Sequence, residues 1–351
     1  MLTVAQKSKK HSAIVGASDP HEWVPTCYEL RDTWFAIAHS VAVGTRPLRR
    51  IVHSQPYFIW RDNGHLQAAE FHPQRPTASG TYTEFTAGSG YYPVVERFGY
   101  VWAWYGNPDV ADVDLIPDIP FLPRDGRGIP GYMHTTVRFD GCSSLSVENL
   151  LDLTHADFLH GEVIGGEGEA DSDEVTFECT SETLTRTRWV VGKPVSPIMR
   201  WVGGVRTKYQ EFRSTLHVHL RNNMCISYPR FRPGFDIPNA QPFIPNGSYR
   251  SLVNQIFNLN AAPTPFRQVM PRMAYTIGPQ DNYAVRPQNP RYLEGESQTD
   301  FHSRFDAPGV RYRHLMKKLW QRQAEGDFSY LADSDPGGDI TTLLGMENRV
   351  E

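Results

Sequence analysis

Cysteine is scarce in this 351-residue chain: four residues, Cys27, Cys142, Cys179 and Cys225, lie far apart. None belongs to a C-x-x-C pair, and none has a histidine two or three residues on. A disulfide framework is excluded, and the four read as reduced, structural thiols of a cytosolic chain. Long hydrophobic runs are missing too. The longest, Phe98 to Gly106 (FGYVWAWYG), is about half of the ~20 residues that a spanning helix needs. The first residues, MLTVAQKSKKHSAIVG, lack the apolar core of a secretory signal. No membrane span is expected, and the default location is cytoplasmic. Neither charge sign dominates: 35 Lys and Arg face 39 Asp and Glu, for a net charge of −4. Phosphate binding runs on concentrated positive charge, so nucleic acid is not expected as a partner.

What is present is a large apolar and aromatic fraction. Hydrophobic residues make up 40%, with 8 Trp, 16 Tyr and 18 Phe. That suits a sizeable core or a large apolar cavity and excludes wholesale disorder. Residues 1–25 read as a mobile arm. From Trp34 to Tyr105, short β-type segments alternate with turn signals. Asp62-Asn63-Gly64 between apolar runs marks a hairpin. Residues 107–131 carry five prolines and read as a linker. Met133 to Phe139 reads as a strand, and alternating segments at 175–181, 183–192, 207–231 and 251–262 predict one antiparallel sheet. The pattern predicts helices over Asn149–His160, from Pro265 through Met270, and over Tyr312–Ala324. The units expected are an arm (1–25), a β-rich module with its linker (26–131), a second, α+β domain (132–335) and a frayed tail (336–351).

The chemistry-bearing segment is Glu148 to His160, ENLLDLTHADFLH. Asn149, Asp152 and His155 fall at three-residue intervals, hence on one face of a helix. His160 follows His155 by five residues, a rotation of about 140° on an ideal helix. Both imidazoles reach one ion only if the helix distorts or ends between them. On spacing alone, the cluster fits either a polar helix face or a metal site. Two histidines and a carboxylate leave open positions at ferrous iron. His217 and His219 (LHVHL) share a strand face and read as cavity-lining or solvent-facing. Arg49, Arg50 and His53 form a small basic patch, a solvated surface or a docking point. Trp189, Trp201, Tyr209, Phe212 and Phe257 are candidates to line an apolar pocket.

The run Asn149-x-x-Asp152-x-x-His155-x4-His160 resembles the iron motif of Rieske non-heme iron oxygenase catalytic (alpha) subunits. Its wording is similar to the vanillate and dicamba demethylase branch. Val94 to Trp104 resembles the strand that ends that branch's Rieske domain, and Asp118 to Phe121 its linker. The resemblance spans roughly residues 30 to 325. It implies an α+β fold: a β-rich Rieske-like module, then a helix-grip (START-like) domain whose antiparallel sheet wraps the site, with the strands from Val175 to Ile226 as its walls. It implies one mononuclear Fe(II) held by His155, His160 and Asp281, with Asn149 and Asp152 as catalytic neighbours. Asp281 lies in GPQDNYAV (278–285), where the family often has Glu-Asp and this chain has Gln280-Asp281. His302 and His314 are rivals in a different context.

One departure is large. A Rieske cluster takes two cysteines and two histidines, and the matching stretch, Phe58 to Tyr92, contains no cysteine. The expectation is a module that kept its scaffold and lost its [2Fe-2S] cluster. In the family, the cluster of one subunit serves the iron of the next around a ring, across an aspartate at the position of Asp152. The resemblance therefore implies a hetero-oligomer built on a trimer, with a Rieske-bearing homologous subunit as donor and a ferredoxin or reductase upstream. The activity implied is oxygenation, as hydroxylation or oxidative demethylation of a small, largely apolar molecule. The other function class is a cluster-less structural or regulatory subunit of such an assembly. The intact iron motif favours the enzyme.

Overall fold

The computed structural model describes residues 28–70, 92–128, 131–152, 154–165, 172–294, 305–332 and 338–350. The expected arm at 1–25, most of the cysteine-free stretch (71–91), the acidic segment 166–171 and His302 lie outside the described residues.

The first six strands form two small antiparallel sheets. One has the order β1–β6–β5, from Thr33–His39, Tyr100–Tyr105 and Val94–Arg97; the other is β2 (Leu48–Val52), β3 (Gln55–Asp62) and β4 (His65–Ala69). The predicted hairpin joins β3 to β4. Asp62 pairs with His65, and both Asn63 (φ 49°) and Gly64 (φ 83°) are left-handed, the geometry that matches strand twist. Helix candidates and strands then alternate with a large sheet of seven strands, ordered β7–β13–β12–β11–β10–β9–β8. Its strands are β7 (Tyr132–Phe139), β8 (Ser172–Cys179), β9 (Thr183–Pro194), β10 (Tyr209–His219), β11 (Met224–Arg232), β12 (Asn239–Pro245) and β13 (Ser251–Asn258). The strands expected from Met133 onward all join this one sheet; β12 is an addition the pattern did not mark, and β7, first in the chain, pairs with β13.

Period-2 alternation divides this sheet into two buried faces. Cys225, Phe243 and Val253 pack under the helices. Met224, Ile226, Ala240 and Ile256 pack against Trp34, Trp102 and Trp104 of the first module. The module is therefore a wall of the large sheet's core. Tyr100, fully buried, donates its hydroxyl to the carbonyl oxygens of Ala240 or Asn254, tying the two together.

The helices differ from the sequence pattern in three places. The single helix expected over Asn149–His160 is two: α1 (Ser143–Leu151) and α2 (His155–Leu159). After α3 (Pro197–Trp201), α4 runs 29 residues, Thr264–Tyr292, through Pro271, Pro279, Pro287 and Pro290. Proline normally ends a helix; here a buried row including Phe266, Met270, Ala274 and Gly278 holds α4 on the sheet. α5 covers Ala307–Ala324. The tail is not frayed: α6 (Ile340–Leu344) buries Ile340 and Leu344, and Val350 donates its N–H to the Pro120 carbonyl at 2.9 Å. The two apolar residues are four apart on one helical face, a signal too short to read by periodicity.

Candidate metal centre

Between α1 and α2 the chain is bent by its own side chains. Asp152 is extended (φ −94°, ψ 92°), and its carboxylate accepts from the backbone N–H of Thr154 at 2.9 Å and from its hydroxyl at 2.5 Å. Such local bonding competes with helix. The orphan carbonyls at the end of α1 are satisfied by Arg186, fully buried, whose guanidinium donates to Leu151 O (3.1 Å) and Leu150 O (3.3 Å). α2 starts afresh at His155, and His160 caps its end. α2 ends between the two histidines, with His160 off helical geometry (φ −113°, ψ 19°), and their rings stand 5.4 Å apart between centroids. Asn149, Asp152 and His155 do not share one helix face, because the helix ends at Asp152.

The third group arrives from α4. Gly278 allows the approach: a Cβ there would sit 2.6 Å from Val137 Cγ1 of β7. One turn on, Asp281 Oδ1 lies 2.9 Å from His160 Nε2, 3.3 Å from His155 Nε2 and 3.1 Å from Asn149 Nδ2, which donates to it. The ligand atoms of His155, His160 and Asp281 lie within 4.8 Å of one another, and these three form the one such group among the described residues.

Each imidazole is oriented from behind. The carbonyl of Asp152 faces His155 Nδ1, and Gln280 Oε1 lies 2.8 Å from His160 Nδ1. Both contacts favour the Nδ1–H tautomer and leave Nε2 as the donor atom. Gln280, a departure from the family's Glu-Asp, thus supplies an acceptor without adding charge. Asp281 is largely buried, which alone would raise its pKa; hydrogen bonds to both histidines outweigh burial and hold it at about 2. Burial alone would lower the His160 pKa, but the bond and charge of Asp281 raise it. Two neutral imidazole nitrogens and one carboxylate on one side, with the rest open, are the donor set and arrangement suited to ferrous iron.

The centre opens on a cavity of about 220 Å³ that runs along the helix-covered face of the large sheet. Phe212 and Phe257 line it, as expected; Trp189, Trp201 and Tyr209 do not and are exposed. Sequence reasoning missed most of its polar wall: Arg188 and Lys193 on β9, Asp157 on α2, and Asn239, Gln241 and Gln255 on β12 and β13. They come from one helix and three strands far apart in the sequence, and only the fold gathers them. His217 and His219 lie elsewhere: neither lines the cavity, and their rings alternate with Leu216 and Val218 on the sheet's opposite face. His217 Nδ1 meets the Thr185 hydroxyl at 2.7 Å, and burial lowers its pKa to about 4, so it is neutral. The basic patch is smaller than its sequence suggests, since Arg50 turns inward to donate to the Ile37 carbonyl. His314 lies on α5, outside the group of three.

Residues 139–322 match the family described as the vanillate O-demethylase oxygenase C-terminal domain. The chain is similar to the iron-sulfur subunit of the toluene-4-sulfonate monooxygenase system of Comamonas testosteroni, 31% identical over 160 residues, 42% of this chain and 45% of that protein. It is similar to the oxygenase component of dicamba O-demethylase from Stenotrophomonas maltophilia, 27% identical over 188 residues, 40% of this chain and 54% of that protein. These matches span about half the length of each relative. Among solved structures, dicamba monooxygenase bound to 3,6-dichlorosalicylic acid superposes with a TM-score of 0.69 at 18% identity, covering 84% of this chain and 98% of that one. The terminal oxygenase of carbazole 1,9a-dioxygenase from Nocardioides aromaticivorans IC177 gives 0.58 at 11% identity, covering 90% and 98%. These likenesses bear out the α+β fold with its antiparallel catalytic sheet.

Proposed function

The chain belongs to the Rieske oxygenase family, in its vanillate O-demethylase branch, and from that premise we propose that it is a mononuclear non-heme iron oxygenase subunit. It hydroxylates, or oxidatively demethylates, a small and largely apolar organic molecule. The observation that carries this reading is the convergence of His155, His160 and Asp281, each histidine fixed through Nδ1. Residues 132–335 are the catalytic domain, and 26–131 a Rieske-like module.

His155, His160 and Asp281 hold the metal. A ferrous ion bound there supplies dioxygen activation and attack on a C–H bond. The chain's own residues do the rest. Asp152 and Gln280 hold the Nδ1 protons. Asn149 donates to Asp281 Oδ1 and keeps that carboxylate aimed at the histidines. Phe212, Phe257, Ile164 and Met270 exclude water from the cavity. Each turnover consumes two electrons and two protons with one dioxygen, releasing the hydroxylated product and water. Where the attacked carbon bears oxygen or nitrogen, the hydroxylated product collapses: the C–O or C–N bond breaks, the alkyl carbon leaves as an aldehyde or ketone, and its hydroxyl proton passes to the alcohol or amine left behind.

The electrons come from outside this chain. The segment 58–92 has no cysteine, so the chain has no ligand set for a [2Fe-2S] cluster in its module. The donor is a homologous Rieske-bearing subunit, in a hetero-oligomer built on a trimer, with a ferredoxin or reductase upstream. The test is composition and reconstitution. Purified chain should hold about one iron and no acid-labile sulfide, and should turn over only when a cluster-bearing homologue is added. Stoichiometric sulfide, or sustained turnover by the isolated chain, would sink the proposal. A chain that binds no iron yet is needed for assembly would favour the structural role instead.

A further inference from the structure

The polar wall of the cavity divides into two ends. At one, on β8, β9 and α2, four charges close on each other. Arg188 binds Asp173 (Nε to Oδ1 3.0 Å, Nη2 to Oδ2 2.6 Å) and Asp157 (Nη2 to Oδ2 3.0 Å), and Lys193 Nζ binds the other oxygen of Asp157. The side chains of Arg188 and Lys193 are 6% and 8% exposed. Two cations and two carboxylates sum to zero, so this end offers an entering anion no unspent charge.

At the other end, on β7, β12 and β13, the wall is neutral. Thr135 Oγ1 donates to Gln255 Oε1 (3.0 Å), Gln255 Nε2 to Gln241 Oε1 (2.7 Å), Gln241 Nε2 to Asn239 Oδ1 (2.6 Å), and Asn239 Nδ2 to the Ile237 carbonyl (3.1 Å). The chain of bonds runs in one direction, so each amide uses one N–H and one oxygen lone pair on its neighbours. Each keeps a second N–H and a second lone pair. Three amides thus present donors and acceptors side by side. From β9 to β12 is three strand spacings, about 14 Å; Phe212 on β10 and Phe231 on β11 lie between, and Phe257 on β13 flanks the amides from the far side.

Resting on the oxygenase reading, we infer that the cavity takes an uncharged aromatic molecule whose head group both donates and accepts hydrogen bonds, of the carboxamide kind, and discriminates against the matching carboxylate. Asn239, Gln241 and Gln255 read the head; the phenylalanines cover the ring. A carboxylate placed on the same amides would leave its charge without a counter-ion from the wall, and a buried unpaired charge is costly. It would also meet the amide oxygens that a carboxamide N–H satisfies.

The test is calorimetric binding of 3-methoxybenzamide and 3-methoxybenzoate to the full chain, iron-free and iron-loaded. The iron-free arm isolates the chain's own residues, so a failure to bind iron or to turn over leaves this result standing or falling by itself. The benzamide should bind at least about tenfold more tightly, the worth of one or two hydrogen bonds. Gln241→Leu should erase most of that preference. Asp173→Asn, which leaves Arg188 with one fewer carboxylate, should shift the preference toward the benzoate. Equal or tighter binding of the benzoate by the unaltered chain, or no binding of the benzamide, overturns the inference. The comparison on the unaltered chain stands even if either variant fails to fold.

Discussion

The two halves of this molecule have kept different things. The first module retains buried structure: Trp34, Trp102 and Trp104 are each at most 1% exposed and pack on the large sheet. Its matching cluster segment has no cysteine. The second half brings His155, His160 and Asp281 together from two helices far apart in the sequence. On the proposed reading, the module keeps its scaffold without a cluster because it also serves as a wall for its neighbour, and the apolar area it covers must stay covered. A site outlasts sequence drift only if its few side chains keep their geometry. Fold and function are thus separately legible here.

The sharpest way to break this contrast is at Asp281. Asp281→Ala removes one of three protein ligands and exposes two imidazoles to each other. Iron content should fall below about a tenth of that of the unaltered chain, by metal analysis, while circular dichroism stays unchanged. Full iron retention would show that the third ligand lies elsewhere, with His302 next in line. The complementary experiment addresses the module. Trp104→Ala should cost about 3–5 kcal/mol of unfolding free energy, the range for emptying a large aromatic site. If the first module were a passive appendage, chemical denaturation would show a separate early transition, and the large sheet would unfold at its usual denaturant concentration.

Gln280 sharpens the comparison further. Its amide oxygen orients His160, so Gln280→Leu should weaken iron binding about 10–100-fold, the usual cost of losing such an outer partner. Gln280→Glu should retain it. The pH dependence follows from the same contacts. Asp281 is held at about 2, below its ordinary value, so without metal it contributes stability above about pH 4 that is lost as pH falls through 2. His160 is raised, so its contribution is present below about pH 6.5 and lost as pH rises through its higher folded value. Iron must displace that proton. Affinity should therefore climb as pH rises from 5 to 8, with protons released on binding; titration in buffers of different ionisation enthalpy measures this. A pH-independent affinity would mean that His160 is already neutral before metal arrives.

Much of the site was legible because it is local. Asn149, His155 and His160 lie within a dozen residues, and the resemblance extended them to Asp281. That the helix must end between the histidines was foreseen, and α2 ends at Leu159; the earlier break before His155 was not, because the Thr154 contacts of Asp152 and the reach of Arg186 from β9 decide it. The hairpin at Asn63-Gly64 was legible because turn chemistry is local too. The cavity wall was not. Asn239, Gln241, Gln255, Arg188 and Lys193 lie on three strands far apart in the sequence, and only pairing registers bring them together. Proline misled at α4, where packing along the sheet overrides four local breakers.

Asp152 carries the smallest expected effect on the metal and the most on electron supply. Its carbonyl, not its carboxylate, faces His155 Nδ1. Its carboxylate Oδ1 holds Thr154. An asparagine keeps an Oδ1 able to accept both of those bonds, so Asp152→Asn should leave iron content and iron affinity within about twofold, less than the loss of an outer-shell partner. What it removes is a negative charge at the bend between the two helices. If that charge meets a cluster-bearing neighbour, as the family's ring arrangement implies, turnover of the reconstituted assembly should drop by at least about tenfold, with substrate binding by the isolated chain unchanged. If the carboxylate only shapes the bend, the rate should be unaltered along with the iron. A loss of iron in this variant would point to a third situation, in which charge at Asp152 helps hold the His155 proton in place, and Asp152→Glu, which keeps the charge, would then retain the iron. Measuring iron, substrate affinity and turnover on one preparation separates these outcomes, because each role moves a different member of the set.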